Sequence, residues 1–92
     1  MKTTVNSKDD KNYVLRVSEV KFGKMPYEVY QVKVRERLCS RLGLDNAQIQ
    51  IFVFFKLEND HFDVAFPKEF DEKVNEIIDV FEQVYNSEIG GE

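Results

Sequence analysis

Five carboxylates near the end of this 92-residue chain, Glu69, Glu72, Glu76, Asp79 and Glu82, have the spacing that carries the clearest chemical message. They fall at i, i+3, i+7, i+10 and i+13, so a helix would gather them on one face with neighbours about 5–6 Å apart. Phosphates along one nucleic-acid strand are spaced comparably, and duplex DNA carries one charge per ~1.7 Å of axis. Such a row can therefore present a phosphate-like pattern to a basic, DNA-binding cleft. An amphipathic helix also needs a polar face for water alone, and acids in its first turn complement the helix dipole. That accounts for Glu69, Asp71 and Glu72 without any partner. Glu76, Asp79 and Glu82 lie beyond the first turn, with only Lys73 close enough to relieve them. Both readings stand: a solvated face, or a docking surface for a basic protein.

The other reactive side chains point away from catalysis. A nucleophile needs a base within hydrogen-bond reach and a group that orients the base. The chain offers one Cys and one His. Cys39 falls late in a helical stripe, away from any helix N-terminus that would lower its pKa, and reads as apolar filler. His61 sits between Asp60 and Asp63 in the turn "ENDHFD"; one imidazole and two carboxylates from a single turn rarely form a metal site without a further ligand. The glycines form no phosphate-cradling loop after a strand. No catalytic residue, metal or cofactor is expected. The reading is a non-enzymatic protein that acts by binding, and the partner it fits is a protein with a nucleic-acid-binding surface.

These residues must be held by elements legible in the hydrophobic pattern. Residues 1–12 are polar and read as a loose tail. "YVLRVSEVKF" alternates as a strand: Tyr13, Leu15 and Val17 share a face, and a bulge near Ser18–Glu19 would return Val20 and Phe22 to it. Pro26 suits the start of a helix. Tyr27, Tyr30, Val34, Leu38 and Leu42 then make a helical stripe that Gly43 closes. "IQIFVFFKLE" is a strand with Ile49, Ile51, Val53, Phe55 and Leu57 on one face and Phe52 and Phe54 on the other. "FDVAF" returns as its hairpin partner, and Phe70, Val74, Ile77, Ile78, Phe81, Val84 and Tyr85 form the broad stripe of a last helix. Residues 89–92 read as a frayed end. The expected fold is α+β, a two-layer sandwich in the order β-α-β-β-α, with a three-stranded sheet and both helices on the Ile49–Leu57 face. Phe52 and Phe54 would then lie on the bare face, and this face or an edge of the sheet is expected to be covered by a second copy or a partner.

Composition bounds the rest. The chain is one small domain, spanning residues 13–88, that buries roughly 60–65% of its unfolded surface. It has no apolar run near the ~18 residues of a membrane span and no apolar leader. A lone Cys favours a reducing, cytoplasmic setting. The net charge of −4 is unevenly spread. Residues 1–44 carry ten Lys and Arg against five Asp and Glu, whereas residues 45–92 carry three against twelve. A net negative chain argues against direct nucleic-acid binding, and the imbalance describes a dipolar molecule whose acidic half meets a basic surface.

Met25–Pro26 entering a helix, Tyr30 in its first turn, "LGLDN" at residues 42–46, Phe62 and Val64 before Pro67, and the closing acidic helix together resemble the Arn-type anti-restriction proteins of T-even phages. The likeness runs from about Met25 to the C-terminus. It implies a phage-encoded, cofactor-free DNA mimic, dimeric, that inhibits a host defence nuclease by occupying its DNA site. On that likeness Glu69, Glu72, Glu76, Asp79 and Glu82 stand in for phosphates. Arg35, Arg37 and Arg41 depart from the family's uniform acidity and make the first helix a possible second binding surface.

Overall fold

The computed structural model describes residues 1–23, 25–45, 49–58 and 60–88. Tyr13, Leu15 and Val17 alternate into the core as expected, on strand β2 (Asn12–Ser18). The polar segment before it is not a loose tail. Lys2–Lys8 forms β1, antiparallel to β2. Asp9 makes the turn between them, its Oδ1 accepting the backbone N–H groups of Asn12 (2.7 Å) and Lys11 (2.8 Å). Those two bonds hold the Asp9 carboxyl below the usual carboxylate range. β1 left little trace in the hydrophobic pattern because it sets Thr3, Val5 and Lys8, of which Val5 alone is apolar, opposite the core residues Val17, Leu15 and Tyr13.

The phase change after β2 is met by a single left-handed residue rather than a bulge. Glu19 adopts φ 56° just beyond the strand end, and Val20 is thereby buried alongside Val17. The helix α1 runs Tyr27–Leu42 as the stripe predicts, burying Tyr27, Tyr30, Val34 and Leu38. Gly43 closes it at φ 69°, its N–H bonded to the Cys39 carbonyl; only glycine holds that conformation without a Cβ penalty.

The second half repeats the strand-strand-helix order. A 3-10 turn at Ile49–Ile51 leads to β3 (Val53–Glu58), so the strand is shorter than the pattern implies. β4 (His61–Pro67) pairs with both β3 and β2, giving an antiparallel sheet of four strands, ordered β1-β2-β4-β3, where three were expected. A 3-10 segment at Lys68–Lys73 precedes α2 (Val74–Glu88). Both helices cover one sheet face. Phe62 of β4 meets the rings of Tyr27 and Tyr30 from α1 and Phe81 from α2. Tyr30 ties the helices together by donating its hydroxyl to the Phe81 carbonyl at 2.9 Å.

The face of β3 is the reverse of expectation. Phe54 stands opposite Val64, so it shares the helix-covered side; it is half-buried, and Phe52 is fully buried. Val53, Phe55 and Leu57 are the residues left outside. Every position from 51 to 55 is apolar, so alternation alone could not say which set faces in; the partner strand decides. The expected frayed end at 89–92 and most of the 45–48 connection lie outside the described residues. Among the described residues no helix is long and apolar enough to cross a membrane.

Candidate functional site

The acidic row does not lie on one helix. Glu69 and Glu72 belong to the 3-10 segment, whose three residues per turn keep them in line. Glu76, Asp79 and Glu82 belong to α2. Nor is the row uniformly free. Asp79 accepts Arg41 Nη1 and Gln83 Nε2, each at 3.0 Å. Glu76 lies 3.8 Å from Lys73, and the neighbouring Asp71 lies 3.1 Å from Lys8. Glu69, Glu72 and Glu82 are exposed and have no ion pair among the described residues. The five candidates thus divide into two carboxylates held at home and three open to a partner.

The charge asymmetry of the sequence resolves into intramolecular pairing. Lys8–Asp71, Arg16–Asp63 and Arg41–Asp79 each join a cation of the first half to a carboxylate of the second. The Arg16–Asp63 pair is the least exposed. Arg16 donates Nε (2.9 Å) and Nη2 (3.1 Å) to the two carboxylate oxygens, and Asn6 adds a bond at 3.3 Å. The Asp63 hydrogen bond raises the Arg16 pKa further.

The three arginines of α1 do not form a single basic stripe. Arg35 turns toward the sheet, donating to the Phe52 carbonyl at 3.0 Å with its Cζ 5.1 Å from the Phe54 ring centre. Arg41 is paired with Asp79. Arg37 lines a shallow depression of about 280 Å³ between the helices, with Lys33, Glu36, Ser40, Val84 and Ser87.

His61 and its flanking acids do not converge on a metal. His61 Nδ1 lies 2.8 Å from Asp60 Oδ1, and this bond lowers the Asp60 pKa, while Asp63 is taken by Arg16 and Asn6. Among the described residues no group of three His, Cys, Asp or Glu is placed to hold a metal ion. Cys39 is half-buried, its Sγ 3.9 Å from the Asp45 carbonyl oxygen; burial pushes the thiol pKa up, away from nucleophilic use.

What the pattern missed is the outer sheet face. Val53, Phe55 and Leu57 are 43%, 51% and 43% exposed on the edge strand β3. Side by side, three large apolar groups exceed the scatter of single exposed residues that any surface carries. No protein-family model, curated protein or solved structure matches this chain.

Proposed function

We propose that this chain is a small phage-type inhibitor that acts by binding, docking an acidic surface against the basic, nucleic-acid-binding face of a host defence enzyme. The observation that carries the reading is the set of exposed carboxylates with no ion pair among the described residues, Glu69, Glu72 and Glu82, beside the partly engaged Glu76. Unneutralised carboxylates generate the long-range field that speeds encounter with a cationic cleft, and such binding weakens as salt screens it. The resemblance to Arn-type DNA mimics supports the same class of partner.

The test is capture of proteins from nuclease-treated bacterial lysate, by wild type and by a Glu69→Gln, Glu72→Gln, Glu82→Gln variant. Competing duplex DNA is then added. A protein held by wild type, released by DNA and lost in the variant is the expected result. Because all three positions are exposed, the variant should melt within about 0.5 kcal/mol of wild type. Capture that survives both the variant and the DNA would sink the reading. It would favour the rival, a self-associating adaptor whose charge serves solubility, for which the exposed Val53–Phe55–Leu57 stripe is the specific support.

A further inference from the structure

The two edges of the sheet are built differently. β1 carries Lys at both ends, polar side chains at Thr4 and Ser7 opposite Arg16 and Val14, and a register shift between Val5 and Ser7. Polar side chains, lysines and irregularities are what keep an edge from pairing with another strand. β3, "VFFKLE", has a single Lys and no Pro, with its irregularity confined to the end beyond Lys56. Five of its six residues are exposed. We propose that β3 is the docking edge for a second copy of this chain, pairing antiparallel about a two-fold axis through Phe55 to make one continuous eight-stranded sheet.

Register and charge both select that axis. Residues directly opposite in an antiparallel pair share a face, so only axes through a residue keep the outer stripe together. Centred on Phe55, the pairing sets Phe55 against its own copy and Val53 against Leu57, an uninterrupted apolar row, while Lys56 lies over the Phe54 ring of the other copy. Moving the axis to Lys56 would set the two lysines against each other.

The helix above β3 fits the same axis. Arg35 touches Phe52 and Phe54, and Lys56 Nζ stands 5.7 Å from the Tyr27 ring centre, so α1 runs antiparallel to β3 and its Gln31–Val32 turn falls level with Phe55, on the opposite face of the sheet. Val32 is 52% exposed. Rotation about Phe55 brings the two Val32 side chains together and sets Glu28 of each copy across from Arg35 of the other. The spacing is right as well. α1 packs over both β3 and β4, through Phe54 and Phe62. With strands about 4.8 Å apart, its axis lies about 5 Å from the two-fold, and the helices come about 10 Å apart, normal for packed helices. A six-residue strand alone is too small for a stable interface, and the helix flank supplies the added area that one needs.

Sedimentation equilibrium and oxidative cross-linking test this. Wild type is expected to be a dimer, and Phe55→Asp to raise the dissociation constant about tenfold, because it exchanges an aromatic cross-strand pair for two opposed carboxylates. The Phe55→Asp melting curve at low protein concentration should match that of wild-type monomer, because Phe55 points outward. In a Cys39→Ser background, Phe55→Cys should cross-link to itself and Lys56→Cys should not, since position 56 meets position 54. A wild type that stays monomeric to about 100 µM, an unchanged dimer in Phe55→Asp, or faster cross-linking through position 56 would each overturn the proposal. Should Phe55→Asp fail to fold, the cross-linking pair decides alone. The dimer does not depend on the acidic-surface reading: Glu69→Gln, Glu72→Gln, Glu82→Gln leaves it intact whether or not a partner is captured.

Discussion

Replacing Phe62 with alanine is expected to remove about 3–5 kcal/mol of stability, the cost of deleting a fully buried aromatic ring. Phe62 has no exposed surface and meets five other rings. Tyr27 lies at 5.4 Å, Tyr30 and Phe54 at 5.9 Å, Phe81 at 6.2 Å and Phe22 at 6.3 Å. Those neighbours come from both helices, from β3 and from the segment after β2, so no single element can move to fill the void. A domain of this size has roughly 5–14 kcal/mol in total, so the loss is a large share of the fold. Urea titration of Phe62→Ala against the exposed-site control Phe55→Ala, at concentrations where wild type is monomeric, measures it. A Phe62→Ala cost no greater than the control would show that the rings do not share one packed centre.

Alkaline pH is expected to unfold this protein earlier than its composition implies. Unfolded, Tyr27 and Tyr30 ionise near pH ~10. Folded, burial opposes the charged phenolate, raising Tyr27 to about 12 and Tyr30 further. The Tyr30 hydroxyl also donates to the Phe81 carbonyl, which an ionised oxygen cannot do. Below pH ~10 both states keep their protons, and these residues leave stability independent of pH. Above it the unfolded chain sheds protons that the folded chain retains. Stability then falls by about 1.4 kcal/mol per pH unit for each tyrosine until the folded value is reached. Urea midpoints from about pH 8 to pH 11.5 should show that slope. Tyr30→Phe should remove its share at a neutral-pH cost of about 1 kcal/mol for the lost hydrogen bond. A flat profile to pH ~11.5 would mean the rings open to water far more readily than their burial implies.

How far these elements can be read from the residues depends on how one-sided each is. α1 was legible to the residue, because Tyr27, Tyr30, Val34, Leu38 and Gly43 agree on where it packs and stops. β2 and β4 were legible because Arg16 and Asp63 mark the outward phase of their alternation, with Tyr13, Leu15 and Val17 and with Phe62, Val64 and Phe66 on the inward one. β3 was legible as a strand but not in orientation, since Phe54 and Phe55 are alike and only the pairing with Val64 and Asp63 tells them apart. β1 was hidden by its own polarity; an edge strand that must resist aggregation looks, in composition, like a tail. The acidic row was legible as charge but not as geometry. The 3-10 segment after Pro67, the nearby Lys73 and the sequence-distant Arg41 decide which carboxylates stay open.

The ion pairs Lys8–Asp71, Arg16–Asp63 and Arg41–Asp79, which join the two strand-strand-helix halves, give the molecule a sense of self. Before the two halves of one chain have docked, each is strongly charged and of opposite sign to the other, so during synthesis two undocked first halves repel, as do two undocked second halves. Docking offsets much of this charge and leaves the folded β3 edges able to meet. The exposed pairs Lys8–Asp71 and Arg41–Asp79 add little to stability, and their value lies in exclusion. A chain whose halves exchange between molecules must still match a cationic half with an anionic one, with Arg16 finding Asp63 across the central strands. Like-with-like assembly, the commonest error open to a fold made of two similar units, is penalised before any side chain has packed.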